Sequence, residues 1–238
     1  MMELKEVTKH YPQGRRIVRA LNGVSLTIEA GEFVSIMGPS GSGKSTLMHL
    51  LGALDTPTAG EVYFDGRPLH TLSDKDLSFI RRSRIGFIFQ FFNLLPTLTA
   101  VENVALPLLL GGQSRGKALP PALAQLERVG LSDRATHFPD EMSGGEMQRV
   151  AIARALVVEP EAVLCDEPTG NLDSVTSAEI LKILRSLPEP GKRSVVMVTH
   201  DPGAASYGDR IIHIRDGRID FEETPAEKDN HVLGVSHS

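Results

Sequence analysis

Nine consecutive residues, Gly38-Pro39-Ser40-Gly41-Ser42-Gly43-Lys44-Ser45-Thr46, carry the pattern G-x-x-x-x-G-K-[ST]. Between a strand and a helix this pattern is the P-loop. Both flanks fit: Phe33-Val34-Ser35-Ile36-Met37 reads as a buried strand, and Leu47-Met48-His49-Leu50-Leu51 as the first turns of a helix. The chemistry is phosphate capture. Glycines let backbone N–H groups converge on phosphate oxygens without Cβ atoms in the way, and the helix adds the positive end of its dipole. Lys44 is expected to reach the β- and γ-phosphates and Ser45 to ligate Mg²⁺.

Three further positions follow apolar runs. Asp166-Glu167 follows Ala162-Val163-Leu164-Cys165, His200 follows Val195-Val196-Met197-Val198-Thr199, and Gln90 follows Ile85-Gly86-Phe87-Ile88-Phe89. In a parallel sheet the carboxyl ends of strands face the ligand crevice. Asp166 is then placed to hold Mg²⁺, directly or through water, and Glu167 to accept a proton from an attacking water. His200 either reaches a γ-phosphate or is a satisfied structural histidine, and Gln90 alone is a weak signal for the metal or the water. Ser143-Gly144-Gly145-Glu146 has two readings. It is a capping box, but two glycines in a first turn weaken a helix and a capping box does not need them. They expose N–H groups as a second anion site, and two such sites for one triphosphate suggest two chains closing around it.

The elements that must position these residues follow from periodicity and breakers. Residues 3–7 read as an edge strand, 11–14 as a turn, and 20–28 as a second alternating strand. The helix after the loop ends near 55–60. A short strand and turn occupy 61–66, and Ser73-x-x-Asp76 opens a helix through Arg82. From Phe91 the pattern turns helical: Thr99-x-x-Glu102 caps one helix, a flexible loop covers 111–116, a second helix runs 121–129, and a third runs from Ser143 to about Val157. The core resumes at 162–166, with a helix opened by Thr176-x-x-Glu179 and strands at 194–199 and 210–214. The fold expected is α/β: a P-loop NTPase (RecA-like) core with a parallel sheet, an N-terminal antiparallel β subdomain and an inserted α-helical subdomain. The core takes 1–90 and 159–221, the helical subdomain 91–158, and a loose tail 222–238. No internal repeat is seen.

Composition narrows the class. A chain of 238 residues with 41% hydrophobic content builds a real core, and a formal charge of −5 argues against a nucleic-acid partner. The basic runs Arg15-Arg16 and Arg81-Arg82-x-Arg84 read as solvated faces. The single cysteine, Cys165, excludes an intramolecular disulfide, fits a reducing compartment and reads as a small buried hydrophobe. No apolar run approaches the ~18 residues of a membrane-spanning helix, and the start lacks a signal-peptide core. A membrane role is expected to need a partner.

Together and in this order, these elements resemble the ATP-binding subunits of ABC transporters over about residues 4–217. In that resemblance Gly38 to Ser45 is Walker A, Gln90 the Q-loop, Met142-Ser143-Gly144-Gly145-Glu146-Met147-Gln148-Arg149 the signature, and Val163-Leu164-Cys165-Asp166-Glu167 Walker B. Asn171-Leu172-Asp173 is the D-loop, His200 the switch histidine, and Tyr11 stands where the family stacks an aromatic on adenine. Ile36 to Met48, Ile85 to Pro96 and Leu98-Thr99-Ala100-x-Glu102-Asn103-Val104 look like the lipoprotein-releasing and macrolide-efflux subfamily. Met142 replaces a common Leu, Met147 a common Gln, and Cys165 a small apolar residue.

The resemblance implies an ATPase working as a head-to-tail dimer. Each ATP, with Mg²⁺, lies on residues 38–46 of one copy and under Ser143, Gly144 and Gly145 of the other. Lys44, Gln90, Glu167 and His200 are the expected catalytic residues, and Ser45, Gln90 and Asp166 the metal ligands. The other expected partner is an integral-membrane permease, with the chain peripheral to the cytoplasmic face of the inner membrane. Residues 90–95 are expected either to help form a groove for a permease helix or to pack the two lobes. The rival readings are a soluble non-transport ABC ATPase and a P-loop kinase.

Overall fold

The computed structural model describes residues 1–14 and 16–225. Two sheets carry the architecture. The first is antiparallel, in the order β2-β1-β4-β5, from β1 (Met2–Gln13), β2 (Arg16–Ile28), β4 (Ala59–Phe64) and β5 (Arg67–Pro68). The second has the order β10-β9-β3-β8-β7-β6, from β3 (Phe33–Met37), β6 (Ile85–Phe89), β7 (Ala162–Asp166), β8 (Ser194–Thr199), β9 (Arg210–Arg215) and β10 (Arg218–Glu223). Its strands are parallel except β10, which pairs antiparallel with β9.

The central strands β3, β7 and β8 are buried along nearly their whole length because both faces of the sheet are covered. Along β7, Ala162 and Leu164 join one core while Val163 and Cys165 join another; along β8, Val196 and Val198 face opposite to Val195 and Met197. One core lies between this sheet, helix α1 (Lys44–Leu51) and the antiparallel sheet. The other lies under the helices α3 (Ala100–Leu110), α4 (Arg115–Arg128), α5 (Gly144–Leu156) and α6 (Ser174–Arg185). The helices of the inserted stretch therefore share a core with one sheet face. Helices α2 (Asp74–Ser83) and α7 (Pro202–Ala205) complete the set.

Several local expectations change in the fold. The first strand is not at an edge: β1 lies between β2 and β4. It also absorbs the expected turn, pairing Tyr11 with Val18 and Pro12 with Ile17. Its pairing with β4 ends at Thr8, so Pro12 sits where no partner needs its missing N–H. Helix α4 starts at Arg115, inside the expected loop, and carries Pro120 and Pro121. These forgo hydrogen bonds to the solvated first turn, while Ala118 and Ala122 are fully buried and hold the helix in place. Helix α6 is capped by Asp173, which accepts from the N–H groups of Val175 and Thr176, not by Thr176. The expected tail gives Glu222 and Glu223 to β10; residues 226–238 and Arg15 lie outside the described residues. Arg81 and Arg84 are not merely solvated. Arg81 donates to the carbonyl of Ala53, and Arg84 pairs with Glu161 and Asp65 over the ring of Phe64.

Candidate functional site

The register of the parallel sheet assembles the site. Met37 stands beside Thr199, Val198 beside Asp166, and Asp166 beside Phe89. The next residues, Gly38, His200, Glu167 and Gln90, therefore leave the same sheet edge together. Residues separated by up to 162 positions meet because parallel strands bring all their carboxyl ends to one side.

At that edge the P-loop is folded around its own lysine. Lys44 is 8% exposed, and its Nζ donates to the carbonyls of Gly38 (2.8 Å) and Pro39 (2.9 Å). Gly43 is the residue before α1, with φ 108° and no side-chain cap. Its left-handed backbone needs glycine, and a Cβ there would stand 2.3 Å from the Ala20 carbonyl oxygen. The first N–H groups of α1 thus meet neither a capping side chain nor an acidic residue. The buried Ser42 Oγ has no partner among the described residues. Pro39, Ser40, Gly41, Ser45 and Thr46 complete the loop.

Glu167 follows β7 with φ 46°, a left-handed conformation costly for a residue with a Cβ. Its N–H donates to the Val198 carbonyl (2.9 Å), and its Oε2 lies 2.7 Å from Nδ1 of His200. This carboxylate–imidazole pair joins two residues 33 positions apart and had no sequence signal. Asp166 is half-buried, and its carboxyl is raised above the usual range by burial and then by Glu167, with His49 and Lys44 opposing. Gln90 Nε2 donates to Asn171 Oδ1 (3.3 Å) while Asn171 Nδ2 returns a bond to the Gln90 carbonyl (3.0 Å), another pairing the sequence did not show. Ser45 in the loop, and Asp166 and Gln90 at neighbouring strand ends, carry oxygen donors of the kind that suit a hard cation such as Mg²⁺.

Two sets of expected residues come from outside this sheet. Tyr11, in the antiparallel sheet, donates from its hydroxyl to Asp55 Oδ2 (2.7 Å), and Lys9 lies over its ring. Its phenol is pushed up by burial and by Asp55, while Thr46 of the loop pulls it down. Tyr11 is therefore neither a turn residue nor remote from the P-loop.

Ser143, Gly144 and Gly145 open α5 in the helical lobe. Ser143 accepts from the Glu146 N–H, and Glu146 Oε2 receives the Ser143 N–H (2.8 Å) and hydroxyl (2.9 Å). The capping-box reading is thus realised. The Ser143 backbone and hydroxyl bonds, then Arg134, hold the Glu146 carboxyl below its usual range. Gly145 has a further reason: a Cβ there would lie 2.5 Å from Thr176 Cγ2. The glycines let α5 seat against Leu172 and Thr176, just beyond the Asp166-Glu167 strand.

Of residues 90–95, Asn93 alone lines the apolar groove between the sheet and the helical lobe, a space of about 630 Å³. Its walls include Leu54, Phe87, Phe89, Leu106 and Leu110. Leu94 packs into the helical core and Phe92 turns toward Gly144, so both serve lobe packing. Among the described residues no helix is long and apolar enough to cross a membrane.

The ABC transporter family profile matches residues 21–170. The uncharacterized ABC transporter ATP-binding protein MJ0796 of Methanocaldococcus jannaschii is 51% identical, covering 94% of this chain and 97% of its own length. The lipoprotein-releasing system ATP-binding protein LolD of Geobacter metallireducens is 48% identical, covering 92% and 97%. The macrolide export ATP-binding/permease protein MacB of Chlorobaculum tepidum is 51% identical over 92% of this chain, which spans 33% of that longer protein. A solved dimeric structure of the MJ0796 cassette in a post-hydrolysis state with ADP and Pi superposes with a TM-score of 0.86 at 49% identity, covering 95% of this chain and 99% of that one. With a P-loop, an acidic pair, a glutamine and a histidine gathered on one sheet edge and these likenesses spanning nearly its whole length, the chain belongs to the ABC transporter family as an ATP-binding, ATP-hydrolysing subunit of the kind that includes LolD and MacB.

Proposed function

We propose that this chain is the ATP-driven motor of a transporter whose membrane-spanning part is a separate permease, and that two copies close around two MgATP. The observation that carries the reading is the split of the pocket. Lys44, Gln90, Asp166, Glu167 and His200 share one sheet edge, whereas Ser143–Gly145 opens a helix on another lobe. A second copy supplies the missing lid, as the dimeric form of the MJ0796 cassette supports.

In this reading residues 38–46 cradle the phosphates, Lys44 leaves the Gly38 and Pro39 carbonyls for the β- and γ-phosphates, and Tyr11 faces the base. Ser45, Asp166 and Gln90 would hold Mg²⁺, which neutralises phosphate charge when bound. Glu167 accepts a proton from the attacking water, and His200, 2.7 Å from Glu167, orients that carboxylate and reaches the γ-phosphate. General-base assistance of this kind is worth about 10²–10⁴ in rate. The groove beside Phe87 and Phe89 takes a cytoplasmic helix of the permease, which holds the chain at the inner face of the membrane. The likeness to LolD and MacB points to work of the kind their names print, lipoprotein release or export.

The test is Glu167→Gln, followed by scattering and ATP turnover. The expected variant binds ATP, forms a stable dimer with saturating MgATP and hydrolyses about 10²–10⁴-fold more slowly. A variant that stays single under those conditions overturns the shared pocket, and one that turns over normally overturns the role of Glu167. Co-purification with a permease from membranes, lost on replacing Leu106 and Leu110 while ATP binding persists, tests the groove.

A further inference from the structure

The exit from Gln90 contains two adjacent non-glycine residues in the left-handed conformation, Phe92 (φ 59°) and Asn93 (φ 51°). Such a pair persists only where surrounding contacts over-determine it. The contact is Arg154, in the last turn of α5. One guanidinium nitrogen donates to the Phe92 carbonyl (2.7 Å) and another to the Asn93 carbonyl. Arg154 has no carboxylate partner among the described residues, and burial presses its pKa below the usual guanidinium value. Two loop carbonyls are what keep this cation in place.

The other end of α5 touches the same turn. A Cβ on Gly144 would lie 3.8 Å from the ring tip of Phe92 and 3.2 Å from Leu172. Leu172 follows Asn171, which exchanges hydrogen bonds with Gln90. The result is a closed ring of contacts: Gln90 to Asn171, Leu172 to Gly144, Gly144 along α5 to Arg154, and Arg154 back to Phe92 and Asn93.

From this geometry we infer that Arg154 is a positioning residue: by pinning the strained Phe92–Asn93 turn to α5, it makes Gln90 and the Ser143–Gly145 helix start move as one body. The planar guanidinium suits the task because its fork presents two N–H groups to two carbonyls at once, which an ammonium cannot reproduce in the same geometry. Asn93 and Arg154 also line the apolar groove, so an occupant there touches the pin directly. The inference rests on the reading that Ser143–Gly145 closes on ATP held by a second copy.

The experiment uses the full chain carrying Glu167→Gln and measures the MgATP concentration giving half-maximal dimer by light scattering. Nucleotide binding to the single chain and the melting temperature are measured in parallel. Adding Arg154→Met is expected to leave single-chain binding within about twofold, as for independent sites, and to raise the dimer half-point about tenfold, a coupling of ordinary size. Arg154→Lys should recover only part of the shift. The discriminating variant is Arg154→Met with Asn93→Gly, since glycine adopts the left-handed turn without strain; it should recover half or more of the shift on a logarithmic scale.

A purely structural role for Arg154 would lower the melting temperature without this rescue. An unchanged half-point in Arg154→Met, or no rescue by Asn93→Gly in a folded protein, overturns the inference. If Arg154→Met does not fold, Asn93→Val with Arg154 intact must shift the half-point in the same direction, and its failure to do so counts equally against the inference. If Glu167→Gln alone never dimerises, the shared-pocket reading falls and this inference falls with it.

Discussion

Two helices in this molecule begin at glycine-rich sequences, and their first turns are built in opposite ways. Helix α1 starts after Gly43, with no side-chain cap and no acidic residue in its first turn. Helix α5 starts with a complete capping box, Ser143 and Glu146 satisfying each other's backbone, and carries a carboxylate at its positive end. The first leaves its leading N–H groups without a side-chain partner, open to a ligand. The second is complete within the chain and is stable before any ligand arrives. That difference fits their proposed roles: α1 holds the nucleotide in a single copy, while α5 meets it only when a second copy closes. It also explains the glycines differently. Gly43 is set by its backbone conformation and the approach to Ala20, Gly145 by the side chain of Thr176.

The comparison can be broken at several points, in falling order of effect. Lys44→Met strips α1's loop of its cation and leaves two carbonyls unpartnered. MgATP binding by the single chain should weaken by about 10²-fold or more, the scale for losing one partner of a buried charged contact, as read by nucleotide titration. Retained affinity would mean the loop does not hold the phosphates.

Next comes Gly145→Ala. The added methyl meets Thr176, and overpacking of this kind costs about 1–3 kcal/mol. Denaturant melts should show that loss, and Thr176→Ser in the same chain should restore most of it by removing Cγ2 while keeping the hydroxyl bonded to Asp173. A loss without rescue would mean that the methyl is not opposed by Thr176, and no loss at all would place the need for glycine in ligand contact alone.

Ser143→Ala removes the cap, worth about 1 kcal/mol, or roughly 2–4 °C in Tm for a chain of this size. It should leave single-chain ATP binding intact and raise the MgATP needed for dimer formation in the Glu167→Gln background. No change in dimer formation would confine Ser143 to capping.

The smallest effect sharpens the contrast. Glu146→Gln keeps an acceptor for the Ser143 N–H but removes the charge at the helix start, costing about 0.3–1 kcal/mol. Because the Glu146 carboxyl is held below its usual range by Ser143 and Arg134, the native state binds fewer protons there than the unfolded chain. Its contribution is complete above the unfolded value of about 4.3 and is lost as pH falls toward the depressed native one. The stability gap between the two proteins should therefore be constant near pH 7 and close below about pH 4. The same variant should dimerise at lower MgATP, since a carboxylate no longer faces the incoming phosphate.

The residues proposed to carry the chemistry stood out in the sequence because each marks a strand end or a helix start with an unusual local composition. The P-loop pattern, the Asp166-Glu167 pair after four apolar residues and the Ser143 capping box are all contiguous signals. Their partners were not. His200 against Glu167, Asn171 against Gln90, Asp55 against Tyr11 and Arg154 against Phe92 and Asn93 are pairings 33 to 81 residues apart in sequence, and no local pattern encodes them. Pro12 also misled: it reads as a turn, but in this sheet it occupies a stretch of strand where its missing donor costs nothing.

By itself, then, the chain's order of residues determined which groups are available for phosphate chemistry and on which kind of element each sits, because caps, glycine turns and apolar periods are properties of short stretches. Only the tertiary structure decided which of them stand together. The register of parallel strands gathers Gly38, Gln90, Glu167 and His200 at one edge while the packing of α5 on Leu172 and Thr176 sets Ser143 apart. That separation, on which the proposed shared pocket rests, arises from long-range burial that no window of sequence contains.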